Sequence, residues 1–236
     1  MRSCTANDDG DGARRQRDQN PKGAMAPGYP PPLRVGLTGA VGAGKSSVAR
    51  RLGALGARVI DADALAREAT ADPVVLARIA AEVGSELVVD GRLDRGATAA
   101  KVFADAGARR ALEAIVHPWV RARAAAAEAA AHAEAPPPPV VVHDVPLLFE
   151  NGLDATMDAT VVVAAPFATR ATRLAARSGL SEAAVRARDA AQWGADEKAR
   201  RATFVIDNGG AEEDLDAAVE RVWVRLLALS RSDAGR

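Results

Sequence analysis

The sequence predicts an α/β protein built on a five-stranded parallel sheet. Five short runs rich in Val, Ile, Leu and Thr have strand length and composition: LRVGLT (33–38), RVI (58–60), VVVHD (140–144), ATVVVAAP (159–166) and TFVIDN (203–208). The sheet is read as parallel from its first unit. The first two runs are joined in the order strand, glycine-rich loop, helix, strand, which is a βαβ unit.

Taken in chain order, residues 1–32 are polar, rich in Gly, Pro and Asp, and without periodicity, and they read as a disordered tail. Met25 stands just before the folded part and is a candidate for the true start. After the first strand and its loop, SSVARRLGALG reads as a helix ending near Gly53 to Gly56. The second strand closes on Asp61-Ala62-Asp63. Helix dominates from Ala64 to Ala135, through ADALAREAT, PVVLARIAAEVG, an element after Leu93-Asp94-Arg95, and an alanine-rich stretch beyond Gly107. Pro118 marks a helix start or kink, and Pro136 to Pro139 end the block. An all-helical block between two strands reads as an insertion over the mouth of the sheet. An arginine-rich helical stretch, Phe167 to Arg201, separates the last two strands. The chain closes on an amphipathic helix over 211–229, with Leu215, Val219, Val222 and Leu226 at helical spacing. Residues 230–236 are expected to be flexible. No internal repeat is seen.

Composition narrows the function classes. Hydrophobic residues make up 48% of the chain and aromatics only 3%, so the core must be built from Ala, Val, Leu and Ile. Lys plus Arg equals Asp plus Glu at 31 each, which gives no global pull toward nucleic acid or membrane. The single cysteine, Cys4, excludes an internal disulfide and a thiol-ligated zinc site. No apolar run has the length of a membrane span, and the N-terminus lacks the apolar core of a signal peptide. The expected location is the cytoplasm, and the expected state is a monomer without nucleic-acid or membrane partners.

The loop carries the chemistry. Gly39-x-x-x-x-Gly44-Lys45-Ser46 is a complete phosphate-binding loop, and it stands between a strand and a helix as the motif requires. Its glycines let backbone N–H groups converge on phosphate oxygens, and the helix N-terminus adds favourable dipole charge. Lys45 is placed to reach the outer phosphates, and the Ser46 hydroxyl to ligate Mg²⁺. Asp144, at the tip of VVVHD, is either a metal-supporting carboxylate or a simple polar strand end. Asp61 and Asp63 share one face if the strand continues through them. One could accept a proton from an attacking hydroxyl, and one could cap the next helix. Arg170, Arg173 and Arg177 share a helix face by their spacing of three and four, and Arg188 and Gln192 are four apart. Guanidinium groups so placed suit a transferring phosphoryl group, although such a stripe can equally be a solvated face. His117, His132 and His143 match no metal motif. His132 is expected on the surface and His143 in local structure.

Beyond the loop, the sequence resembles the dephospho-CoA kinase family. The resemblance runs collinearly over about residues 33–229: GLTGAVGAGKSSVARRLGALGARVIDADALAR, LDR (93–95), VFAD (102–105), LEAIVHP (112–118), DVPLLFENGL (144–153), RSGLSEAAVRARDAAQ (177–192) and FVIDNGG (204–210). It implies a P-loop kinase fold with a helical substrate-binding insertion, about 64–137, and a helical lid, about 167–195. It implies transfer of the γ-phosphate of ATP to the ribose 3′-hydroxyl of dephospho-CoA, giving CoA and ADP, the last step of CoA synthesis. By motif, Asp63 would face the hydroxyl. Lys45, Arg173 and Arg177 would act on the phosphoryl group. Gly39, Gly42, Ala43, Gly44, Lys45, Ser46, Ser47 and Arg188 would hold ATP, and Ser46 and Asp144 would hold Mg²⁺. The family loop usually reads Gly-Gly-Ile-Gly-Ser-Gly, and here Ala40 and Ala43 replace a glycine and a serine. Ala40 therefore requires a backbone conformation that alanine tolerates. Ser47 replaces the usual threonine and keeps its hydroxyl. Another nucleotide kinase on the same scaffold, or a nucleotide-dependent switch, is the competing reading. The guanine-specifying Asn-Lys-x-Asp motif is absent.

Overall fold

The computed structural model describes residues 29–233. Cys4, Met25, all but the last four residues of the expected tail, and residues 234–236 lie outside the described residues. The described chain forms two compact units, one of residues up to Val59 together with Ala131 onward, the other Ile60–Ala130.

The first unit is built on the expected sheet. Its strands are β1 (Leu33–Gly39), β2 (Arg58–Asp61), β5 (Val140–Asp144), β6 (Ala159–Ala164) and β7 (Phe204–Asp207), in the order β2-β5-β1-β6-β7. β1 pairs in parallel with β5 (Leu37 opposite Asp144) and with β6 (Gly39 opposite Val163), and β6 pairs in parallel with β7. Strands buried on both faces read as continuous apolar runs rather than alternating ones, and β5 is buried at every residue. The helices here are α1 (Lys45–Ala54), α6 (Phe167–Ser178), α7 (Glu182–Ala190), α8 (Ala195–Arg201) and α9 (Glu212–Asp233). From β1 the chain turns to one side of the sheet, to β2; after β5 it crosses to the other side, to β6 and β7. The loop after β1 stands at this change of direction, where open parallel sheets bind ligands at the C-terminal ends of their strands.

The core of this unit joins Leu33, Val35 and Leu37 of β1, Val48 and Leu52 of α1, and Val161 and Val163 of β6. α9 adds Leu215, Val219, Val222 and Leu226 as its spacing predicts, and also Trp223. Each fully buried Val or Leu side chain contributes roughly 1.5–3 kcal/mol. α9 runs on to Asp233, so residues 230–233 continue the helix instead of leaving it.

The second unit spans Ile60–Ala130. It holds α2 (Ala62–Ala69), α3 (Pro73–Glu82), α4 (Arg95–Ala104) and most of α5 (Ala106–His132). Aspartates start the shorter helices: Asp61, Asp72 and Asp94 accept from backbone N–H groups in the first turns of α2, α3 and α4. Val75, Ile79, Leu87, Ile115 and Val116 form its core. The block is not all helical. Val88–Val89 (β3) and Arg92–Leu93 (β4) pair antiparallel around Asp90-Gly91, both with positive φ (49° and 71°), the geometry of a tight hairpin turn. Of the two readings of Pro118, the helix start is excluded, because α5 runs through it from Ala106 to His132. His132 is buried, contrary to its expected surface position. The last turn of α5 packs inward and buries Ala131 with it.

Candidate active site

The glycine loop takes its shape from its neighbours. Gly42 and Gly44 have φ of 78° and 92°, a region that favours glycine. A side chain on Gly44 would also stand 2.0 Å from the Asn208 amide nitrogen, and one on Gly42 would meet Leu174 at 2.8 Å. Ala40 is not among the positive-φ residues, so the methyl group there is tolerated. Asn208, just past β7, donates from Nδ2 to the Ala43 carbonyl at 2.7 Å, and Arg173 donates to the Asn208 carbonyl at 2.9 Å. Three elements thus fix one loop: β7's end, α6 and α1.

This arrangement sorts the donors. The Ala43 N–H closes a turn onto the Ala40 carbonyl (3.0 Å) and the Ser47 N–H bonds the Gly44 carbonyl (3.0 Å). Ala43 is buried, and its N–H is engaged in this turn. Gly44 caps α1 with no side-chain hydrogen bond. The first N–H groups of a helix have no intrahelical acceptor, so those at the start of α1 are available to an anion. Ser46 is exposed beside them.

Lys45 forms an ion pair with Asp144, whose carboxylate is nearly buried at the end of β5. Beta pairing explains the proximity, since Leu37 and Asp144 are register partners and Val145 donates to the Leu37 carbonyl at 2.9 Å.

A cleft of about 360 Å³ lies beside the loop. Gly42, Gly44 and Ser47 line one wall, Arg173 and Arg177 another, and Asn208, Gly210 and Leu215 are also among its lining residues. Arg51 lines it too, but is held by Asp216 and by Glu212 at 2.7 Å. Those hydrogen bonds, from Asp216 first, raise its pKa further. The arginine stripe divides by role. Arg170 is buried, grips both oxygens of Asp189 at 2.8 and 2.6 Å and donates to the Val41 carbonyl at 3.1 Å, which ties α6 to α7 and to the loop. Arg188, on α7, is exposed and does not line the cleft.

In the second unit the two aspartates part company. β2 ends at Asp61 and α2 begins at Ala62, so the two do not share an extended face. Asp61 accepts from the Ala64 N–H at 3.0 Å and lies 4.0 Å from Arg67. Asp63 sits in the first turn with an exposed side chain. Leu93-Asp94-Arg95 supplies the cap of α4, and His117-Pro118 an exposed turn of α5.

Sequence reasoning missed Asn208, Arg51, Glu150 and Lys198. Lys198 is fully buried, 2.9 Å from Glu150, which also accepts from the Trp193 N–H at 2.9 Å. Burial alone would raise the Glu150 pKa; the bonds from Lys198 and Trp193 outweigh it and hold the carboxyl below its ordinary value. The sequence signal for Asn208 was the Asn-Gly-Gly turn after a strand. Nothing in a Lys-Arg-rich helix marks one lysine as inward.

A loop of this kind at the turning point of a parallel sheet, facing an arginine-lined cleft, defines a P-loop kinase. Known proteins narrow the class further. The family model for dephospho-CoA kinase matches residues 33–214. Dephospho-CoA kinase of Thermobifida fusca is 47% identical over 82% of this chain and 96% of its own. That of Deinococcus radiodurans is 49% identical over 82% and 94%. The chain therefore belongs to the dephospho-CoA kinase family, a family of ATP-dependent kinases acting at the final step of CoA synthesis. The crystal structure of TT1252 from Thermus thermophilus superposes with a TM-score of 0.72 at 43% identity, covering 83% of this chain and 98% of that one. Dephospho-CoA kinase from Campylobacter jejuni, at 24% identity and a TM-score of 0.56 over 82% and 96%, shares the fold.

Proposed function

We propose that this chain transfers the γ-phosphoryl group of ATP to the ribose 3′-hydroxyl of dephospho-CoA, giving CoA and ADP. The observation that carries the reading is the Lys45–Asp144 pair beside the unsatisfied N–H groups of α1, in a member of this family. Those N–H groups and Lys45 receive the phosphates of ATP. Binding exchanges one partner of Lys45, a carboxylate, for another, a phosphate oxygen. Arg173 and Arg177, on the cleft wall, neutralise charge that develops during transfer. The remainder of the cleft suits the nucleoside of ATP.

The donor set fits Mg²⁺. Ser46 offers a hydroxyl and Asp144 a carboxylate, and no three His, Cys, Asp or Glu converge among the described residues. An ion that takes most of its ligands from phosphates and water suits so sparse a protein contribution. When bound, Mg²⁺ supplies charge neutralisation between the outer phosphates.

Asp63 is the proton acceptor. Its exposure and its freedom from the capping role that Asp61 fills support this. The 3′-oxygen bonds to the γ-phosphorus, the bond to the β–γ bridging oxygen breaks to release ADP, and the hydroxyl proton goes to the carboxylate. Residues 60–130 bind the acceptor, and the α6–α7 pair with its following linker, 167–195, is a lid that excludes water. Arg188 would reach nucleotide only when that lid closes. No helix among the described residues is long and apolar enough to cross a membrane, and a monomeric cytoplasmic enzyme is the form proposed. A substrate panel with MgATP tests the reading. Dephospho-CoA is expected to be preferred over nucleoside monophosphates by at least about 100-fold in kcat/KM; a preference for a nucleoside monophosphate overturns it.

A further inference from the structure

Lys198 stands apart from its neighbours. α8 carries Lys198, Arg200 and Arg201 in its last turn, and the two arginines are exposed while the lysine has no exposed surface. Long cationic side chains ordinarily lay their stems on apolar surface and keep the charge in water. Burying an ammonium costs several kcal/mol unless it is well paired, so its partners matter. They are the Glu150 carboxylate at 2.9 Å and the Pro146 carbonyl at 3.4 Å. The same carbonyl accepts from the buried Thr38 hydroxyl at 2.8 Å. Glu150 also takes the Trp193 N–H, and the Trp193 ring stacks on Phe149 with centroids 6.3 Å apart. One buried ammonium therefore holds both ends of the segment 146–150, which begins two residues after Asp144.

We propose that Lys198 is a positioning residue for phosphoryl transfer, setting through Pro146 and Glu150 the place of the Asp144 carboxylate opposite Lys45. The inference rests on the role given above to Asp144. Two anchors, Val145 onto Leu37 and Thr38 onto Pro146, fix the segment to β1. Lys198 is the tie that comes from α8, the helix that follows the proposed lid. Without it the Pro146 carbonyl keeps one donor, Glu150 is left as an unpaired buried charge, and the segment is free to shift. Displacements of about 1 Å at a reacting centre cost on the order of 100-fold in rate.

The test separates positioning from mere stability. Lys198→Met alone strands the Glu150 charge, so the informative protein is the double variant Lys198→Met with Glu150→Gln. It removes both charges and keeps an oxygen for the Trp193 N–H. Replacing both members of a buried pair is often neutral for stability, so its Tm is expected within about 5 °C of wild type. Its kcat with MgATP and dephospho-CoA is expected to fall about 10- to 100-fold, with KM for ATP changed less than about threefold. A double variant with kcat within about threefold of wild type overturns the proposal and leaves the pair purely structural. Thr38→Val removes the other donor to the same carbonyl and serves if the methionine variants do not fold; kcat within about threefold there also overturns it. Acceptor-free hydrolysis of MgATP is measured alongside. If wild type hydrolyses ATP but ignores dephospho-CoA, the acceptor assignment fails, and the variant-to-wild-type hydrolysis ratio still decides the role of Lys198.

Discussion

Asn208→Ala probes how the loop is held. The Asn208 amide is buried and bonds the carbonyl of Ala43, which is itself only 1% exposed. Alanine leaves that buried carbonyl without its donor, which costs about 1–3 kcal/mol. For a chain of this size each kcal/mol lowers Tm by about 2–4 °C, so a fall of about 2–12 °C is expected by differential scanning calorimetry. The same substitution loosens the turn that holds Gly44 at φ 92°. Part of the loop's ordering must then be supplied by ATP. If that part is about 1–2 kcal/mol, isothermal titration with a non-hydrolysable ATP analogue gives a Kd raised about 5- to 30-fold. Asn208→Asp sets an oxygen against an oxygen and is expected to be at least as damaging. A Tm lowered by less than about 1 °C together with a Kd within about twofold of wild type refutes the reasoning.

Further outcomes follow from the same geometry. Lys45→Ala frees Asp144 of its ion pair and removes the cation that meets phosphate; kcat/KM for ATP is expected to drop by at least about 1,000-fold in a coupled ADP assay, and a drop under tenfold argues against it. Hydrogen exchange over residues 167–195 is expected to slow when nucleotide and dephospho-CoA, or a bisubstrate analogue, are both bound; unchanged exchange argues against a lid there. Acid sensitivity is expected from Glu150. Its folded pKa lies below its unfolded value, so its stabilisation is complete above about pH 4.5 and lost as pH falls through the folded value. Asp72, held low by the Trp119 indole N–H first and by the Val74 N–H next, acts in the same sense. Urea unfolding from pH 7 to pH 3 checks this: Glu150→Gln is expected to flatten the acid limb, and an unchanged slope contradicts the assignment.

What was legible in the sequence was what depends on local chemistry. The strands were visible because a sheet covered on both faces needs unbroken apolar runs, as in VVVHD. The loop was visible because few residues other than glycine accept the backbone at Gly42 and Gly44. The hairpin at Asp90-Gly91 carried its own turn signal and was hidden only by the helical pattern around it. Pro118 stands inside α5, where Ile115 and Val116 are buried beside it, because a proline's local signal does not separate the start of a helix from a kink in its interior. Roles set by tertiary pairing were not legible. Arg170 and Arg173 sit on one helix at helical spacing, yet one is spent on Asp189 while the other lines the cleft. Asp61 and Asp63 looked alike until the helix began at Ala62 and made one of them its cap. Lys198 looked like any solvated lysine, because its burial depends on Glu150, distant in sequence.

The central claim is that this chain phosphorylates dephospho-CoA with Asp63 as the proton acceptor. The most direct measurement follows CoA and ADP together, by mass spectrometry, from MgATP and dephospho-CoA with wild type and Asp63→Asn. Wild type is expected to form the two products in equal amounts. The asparagine variant is expected to turn over about 100- to 10,000-fold more slowly while binding ATP within about threefold of wild type. No CoA from folded wild type, or unimpaired turnover by Asp63→Asn, contradicts the account.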